Sequence, residues 1–449
     1  MKRQALVSML LVALVLTLLV TPICAAKKIT ITWWLNPWRI EPPGFTGERA
    51  VTAEDFPQWV KEEFERLHPN VEVKYEVVTN VGFAQKISAA ILAGNPPDVL
   101  RASSFKKDWA LHGLLEPVDD YVTPDDVADW YPDAYEGFRI AGKHYMFPWS
   151  YGTNGMGSSM LLNPEIFADR GVELPALPER SWTIDEFLAS GKKLSWDDDG
   201  DGINDHYALS LGAQDSENNP VWLYMRGASM FNEDETKIII DSPEGIAGLQ
   251  FMVDMIYEHK IAPVGAEGMG IYDIINLFHS QKTAMGYGGP YEIGRIYRYV
   301  NEGRLDEPFE VKIAQFPHLP EIGPVAYHAS GGFMVFRQKD QEKKEMVMEF
   351  CRFLTSPENT RLLKTLLYIT ARESVNQDLY ADSVFADEVA VYANAIQNGK
   401  QYYGSLEVDF TDAGKYWQAA FEAAFTRDKT PGEALTEFAR EANKVLFKK

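Results

Sequence analysis

Between residues 28 and 100 the chain alternates strand, helix, strand, helix, strand, and no other feature restricts its fold as much. "KITITWW" alternates as a strand should. "TAEDFPQWVKEEFERLHPN" puts Phe56, Val60, Phe64 and Leu67 on one helical face, with Thr52 and Asp55 placed as a capping pair. "VEVKYEVV" is a second strand, "FAQKISAAILAG" a second helix closed by Gly94, and "PPDVL" opens a third strand. Such βαβαβ order predicts an α/β fold with a mixed, mainly parallel sheet flanked by helices. Ligands of such sheets sit beyond the carboxyl ends of the strands. Trp33, Trp34 and Trp38 lie where the first strand ends, and "RASSFKKDW" follows the third. Strand alternation sends Trp33 and Trp34 to opposite faces, so at most one of them meets a ligand, and Asn36-Pro37 turns the chain before Trp38.

The start of the chain sets the expected compartment. Lys2 and Arg3 precede an apolar run, Ala5 to Val20, followed by "TPICAA". This reads as a secretory signal of residues 1–26, cut after Ala26. Ile23 is too large for the small residue a lipidated Cys24 would need before it, so the expectation is a free secreted, periplasmic or cell-surface protein. Cleavage leaves Cys351 alone, and no internal disulfide can form. Its setting, "MVMEFCRFL", is that of a packed helix, so Cys351 reads as a core thiol. Stability must then come from burial in a chain long enough for two or more domains. The net charge of −22, with no long basic patch, argues against nucleic acid or an anionic membrane surface as partner.

The most specific local motif is acidic. In "SWDDDGDGINDHYAL", Asp197, Asp199 and Asp201 stand at positions 1, 3 and 5 of a calcium loop. Gly202 takes the turn position, Ile203 would offer its carbonyl at 7, and Asp205 falls at 9. Position 12 is Ala208 rather than Glu, so Asp215, Glu217 or water would have to complete the shell. The expectation is a structural Ca2+ tying a surface loop; a solvated turn held by Asx-type bonds is the alternative. His206 is a bystander in this reading. No nucleophile elbow, metalloprotease helix or P-loop occurs.

Six stretches in order are "GNPPDVL" (94–100), "AGKHYMFPW" (141–149), "SWTIDEFLASGKKL" (181–194), "FHSQKTAMGYGGPY" (278–291), "SGGFMVFRQ" (330–338) and "CRFLTSPENTRLL" (351–363). Together they resemble the extracellular solute-binding proteins of ABC importers, the carbohydrate-binding branch that includes maltose-binding protein. The resemblance implies a two-lobe periplasmic-binding-protein fold with a hinged cleft. It divides the chain into a first lobe of 27–149 and 285–328 and a second of 150–284 and 329–449. Crossings would fall near 149–154, 284–288 and 328–332, where glycines can absorb backbone rotation. It also implies a cleft lined by Trp34, Asn36, Trp38 and Arg39, by Ser103, Ser104 and Phe105, and by Trp149, Tyr151 and Asn154. Tyr287, Gly289, Tyr291, Glu292 and His328 complete the expected set. Rings that stack on sugar C–H faces beside hydroxyl-binding polar groups make an oligosaccharide the expected ligand, a membrane permease the expected partner, and a monomer the expected form. Arg39 could clamp an acidic ligand, but a structural role, on a ring or with Glu41, fits its isolation better. Trp109, inside a helical segment, should pack inward. No catalytic residue or functional cofactor is expected. The competing reading is a secreted glycosidase or lyase, for which paired carboxylates would serve as acid and base.

Overall fold

The structure is a computed structural model that describes residues 28–447 except 48, 80–81, 103–106, 153–157, 216–217, 329, 398–399 and 402–412. The first strand, β1 (Ile29–Leu35), buries every second side chain, with Ile29, Ile31, Trp33 and Leu35 inward. Helix α1 (Asp55–Leu67) covers that face through Phe56, Val60 and Phe64. At roughly 1.5–3 kcal/mol per buried large apolar side chain, this layer is a main source of local stability. Leu67, expected on the same face, is instead 48% exposed at the end of the helix. Thr52 does pair with Asp55, its backbone N–H and hydroxyl both donating to the carboxylate, at 2.6 and 2.9 Å.

Strand β2 (Val71–Val77) pairs in parallel with β1 along its whole length, helix α2 (Phe83–Leu92) follows, and β3 (Val99–Ala102) pairs in parallel on the other side of β1. The chain then supplies β4 (Phe147–Tyr151) to the same sheet before passing to a second one. The second sheet is built from β5 (Met160–Leu162), β6 (Met285–Tyr287) and β7 (Lys312–Ala314), with β5 in the middle and both pairings antiparallel. Around it pack α3 (Ile184–Lys193) and α4 (Pro243–Tyr257), the first started by a Thr183–Glu186 capping box and the second by Ser242 with Pro243 in the first turn. Helix α5 (Tyr291–Asn301) joins β6 to the segment before β7. Strand β8 (Gly331–Val335) inserts antiparallel between β3 and β4, and β9 (Ile369–Thr370) closes the edge beyond β4. The first sheet therefore reads β9-β4-β8-β3-β1-β2. Helix α6 (Gln341–Leu354) packs on β1 and buries Cys351 completely, and α7 (Ala386–Gln397) packs on β7. The last two helices, α8 (Gly414–Phe425) and α9 (Pro431–Leu446), pair with each other and with α4.

These pairings correct the expected division of the chain. Residues 285–328 do not return to the first lobe, because β6 and β7 belong to the second sheet. Residues 331–370 belong to the first lobe through β8, α6 and β9, and α7, which packs on β7, returns to the second with α8 and α9. Crossings lie after β4, between β7 and β8, and between β9 and α7; the Gly-rich run at 284–288 is an element of one lobe rather than a joint. Parallel pairing is confined to β1, β2 and β3 in the two main sheets.

Candidate functional site

Three rings meet where α5 approaches the first lobe. Trp38, past the turn after β1, stacks on Trp149 of β4 at 5.0 Å and lies 5.0 Å from Tyr368, which precedes β9. Tyr368 in turn lies 5.2 Å from Tyr291, the first residue of α5. Trp38, Tyr291 and Tyr368 all keep exposed surface, yet burial pushes both phenols above their ordinary pKa. Groups surrounded by protein that still reach solvent describe a groove between elements, not a core and not an open face. Behind Tyr291, the Tyr392 hydroxyl of α7 donates to the Gly152 carbonyl. Gly289 leaves no room for a side chain there, since a Cβ would stand 2.7 Å from Tyr392 and 2.9 Å from Tyr291.

Cations surround these rings. Arg101, at the carboxyl end of β3, is 3% exposed and holds its guanidinium 3.6 Å from the Trp38 ring centre and 5.7 Å from that of Trp149. Burial pulls its pKa down to about 9. Arg295 meets the buried Glu292 at 2.8 Å, and His279 stands 3.4 Å from the other carboxylate oxygen. Glu302, just past α5, accepts a hydrogen bond from Arg39 at 2.8 Å and has Arg298 at 3.6 Å. The hydrogen bond from Arg39, first, and the neighbouring guanidiniums hold its carboxyl below the ordinary range. Arg39 thus ties the first lobe to the end of α5, through Glu302 rather than the expected Glu41.

The expected site residues separate into groups. Trp38, Arg39, Gly289, Tyr291 and Glu292 converge on this junction, and Asn36 is the turn whose carbonyl accepts from the Trp38 N–H at 2.9 Å. Trp149 lies behind Trp38, 2% exposed and stacked on it, with Phe56 on its far side. Three expectations need correction. Tyr151 is packed on Tyr131 at 4.2 Å with its hydroxyl on Asp133, and Tyr287 sits in the second core, its hydroxyl donating to Ser210. Trp34 faces the side of the sheet opposite Trp33, with the Lys86 ammonium 4.7 Å from its ring centre, and does not join the cluster. Trp109 packs on Phe336 as expected. Ser103, Ser104, Phe105 and Asn154 lie outside the described residues, and His328 forms a short strand beside Lys400–Gln401. The residues missed from sequence are Arg101, Arg295, Arg298 and Tyr368. A lone arginine in the apolar strand "DVLRA" was the available signal for the first; Tyr368, in "LLYIT", carried none.

A cavity of about 450 Å³ lies elsewhere in the first lobe, among Leu67, Trp130, Arg352 and Asn359, and shares no residue with the ring cluster. In the acidic loop, carboxylate oxygens of Asp197, Asp199 and Asp205 come within 4.8 Å of one another, while Asp201 is not part of the group. Asp197 accepts the N–H groups of Gly202, Gly200 and Asp199, which lower its pKa. Asp215 is buried beside Tyr287 rather than in the loop, and Glu217 lies outside the described residues.

A family model described as "Bacterial extracellular solute-binding protein" matches residues 49–361, from ahead of α1 to beyond α6. The chain belongs to that family. This solute-binding protein is 24% identical over 347 residues to a maltotriose-binding protein of Pyrococcus abyssi, a match covering 75% of this chain and 66% of the relative. Its fold matches an ABC substrate-binding protein of Listeria monocytogenes solved with cycloalternan (TM-score 0.70, 22% identity, 93% of this chain and 98% of the other). It also matches a receptor of Streptomyces glaucescens solved unliganded and with acarbose (TM-score 0.73, 20% identity, 93% and 98%). The two-lobe architecture of the family is the architecture found here.

Proposed function

We propose that the protein captures an oligosaccharide between its lobes and delivers it to an ABC-type membrane importer, binding without turnover. The observation that carries this reading is the set of partly exposed rings, Trp38, Tyr291 and Tyr368, contributed by first-lobe loops and by the helix after β6. Flat rings beside arginines and carboxylates suit the alternating C–H patches and hydroxyls of a sugar. A ligand touching both sides favours the closed arrangement by its differential contacts, a population shift that a permease can read. Asn36, Arg39, Gly289 and Glu292 shape this site, and Ser103, Ser104, Phe105 and Asn154 adjoin its walls in sequence. Secretion after removal of residues 1–26, a monomeric state and a periplasmic or cell-surface location complete the proposal. The relatives bind maltotriose, cycloalternan and acarbose by their names and solved complexes, which supports the sugar class. The acidic loop is proposed to take a structural Ca2+ on Asp197, Asp199 and Asp205, with the Ile203 carbonyl and Asp201 nearby in the loop.

The test is a panel of oligosaccharides monitored by tryptophan fluorescence and by reducing-end assay in parallel. A saturable fluorescence change without new reducing ends is expected. Accumulation of product over many turnovers would instead establish the glycosidase or lyase reading.

A further inference from the structure

Arg101 stands apart from the other charges of the site. Glu292 neutralises Arg295, and Arg39 and Arg298 share Glu302, but no carboxylate lies within ion-pair distance of Arg101 among the described residues. Its Nε and Nη2 are buried and have no hydrogen-bond partner among the described residues. Sequestering an unpaired cation is costly, and an apolar side chain of similar length would pack on Trp38 equally well. At 3.6 Å from the Trp38 ring centre, the guanidinium lies over the indole, and its buried Nε–Nη2 edge is left unpaired among the described residues. That edge is a ready-made fork for a carboxylate. The local charge also runs against the rest of the molecule: Arg295 pairs with Glu292, Arg39, Arg298 and Arg304 share Glu302, and Arg101 adds a further cation, in a chain with 65 acidic and 43 basic residues. Burial first, and then the opposing pulls of Arg295, Arg101, Glu292 and Arg298, act on the Tyr368 hydroxyl, so these groups share one electrostatic neighbourhood with the rings.

We propose that the ligand is an acidic oligosaccharide carrying uronate units, with Arg101 binding a carboxylate edge-on while the neighbouring rings take the pyranose faces. The inference rests on the sugar-receptor reading and narrows it from sugars in general to one chemical class. Arg298, already partly satisfied by Glu302, supplies long-range attraction rather than the primary contact.

The experiment is calorimetric titration of the mature chain with trisaccharides of galacturonate, mannuronate and glucuronate, each against its carboxyl-reduced neutral counterpart. At least one acidic form should bind tighter than its counterpart by about 30-fold or more, the scale expected when a buried charge gains or loses its partner. That preference should shrink as salt is raised. Arg101→Gln should abolish it and Arg101→Lys should restore part of it, with thermal melts confirming that both variants are folded. The wild-type comparison needs no variant and is decisive alone. Neutral sugars binding as tightly as every acidic form would overturn this inference and leave the sugar-receptor reading intact. No binding by either class would overturn both.

Discussion

The Arg180 guanidinium and the Glu388 carboxylate meet at 2.5 Å in the interior, 208 residues apart in sequence. The same Glu388 oxygen accepts the Ile313 N–H of β7, while Arg180 donates to the Ile313 carbonyl at 2.9 Å. One ion pair thus clamps the segment before α3, the edge strand of the second sheet and helix α7. Removing one partner leaves the other charge buried and uncompensated. Glu388→Gln should therefore destabilise the protein by about 3–5 kcal/mol, read from urea midpoints at constant m-value. A change under about 1 kcal/mol would show that water or a rearranged neighbour satisfies Arg180.

Gly332 in β8 passes so close to β4 that an added Cβ would stand 2.1 Å from the Phe147 carbonyl oxygen. The strand register also shifts between Gly331 and Gly332. Since the clash is with backbone, not with a flexible side chain, Gly332→Ala should cost about 1–3 kcal/mol. Thermal melting at matched scan rate checks it, and an unaltered melting temperature would mean that the two strands separate easily.

Trp38→Ala should weaken oligosaccharide binding by about tenfold or more, because each 1.4 kcal/mol lost is a factor of ten and the ring also braces Trp149 and Arg101. Trp34→Ala, on the other face of the sheet, should leave affinity within about twofold, less than 0.5 kcal/mol. Isothermal titration of both variants decides whether the two sides of β1 differ as stated.

Arg372 is 4% exposed and binds Asp126 at 2.6 Å and Asp129 at 3.0 Å. Burial pushes both carboxyls up, but the hydrogen bonds from Arg372, Thr123 and Ser374 outweigh it and hold each below the ordinary 3.8. A depressed folded pKa means that the pair stabilises the protein fully above the unfolded value and loses that contribution as pH falls through the folded one. Wild-type stability should drop as pH falls below about 4, and Asp126→Asn should flatten that drop. Parallel pH profiles of the urea midpoint would refute this assignment.

If the acidic loop takes Ca2+, millimolar calcium should raise the melting temperature, and Asp199→Asn should remove the rise. An identical response in the variant would place any bound ion elsewhere. Absence of a rise in the wild type would mean that the backbone N–H groups around Asp197 suffice to hold the turn.

The strand and helix order of residues 28–100 was legible because each element there carries a clean period, and the opposite facing of Trp33 and Trp34 followed directly from it. Lobe assignment was not legible beyond 284. "MGY" and "KIA" are three-residue strands with no period to read, and "GGFMV" is apolar on both faces because it lies in mid-sheet. The site was half legible. Trp38 and Tyr291 stand beside turn signals, whereas Tyr368 reaches the groove only through the return of the chain to the first lobe. Tyr151 and Tyr287 misled for a physical reason: a strand end near a cleft can point its ring inward, and nothing local distinguishes the two directions.

Strand β8 fills the gap between β3 and β4, although β3 ends at residue 102 and β8 begins at 331. During synthesis, β1, β2 and β3 exist long before their neighbour is made. Their sheet has an open edge until more than two thirds of the chain has appeared, and β9, the last strand, arrives later still. The first lobe to be begun is therefore finished only after the whole central section of the second lobe. Truncations anywhere before β8 should expose β3 as a bare edge, prone to pairing with other chains. The two halves of this receptor are interleaved in time as well as in space, and neither can be made alone by shortening the gene from one end.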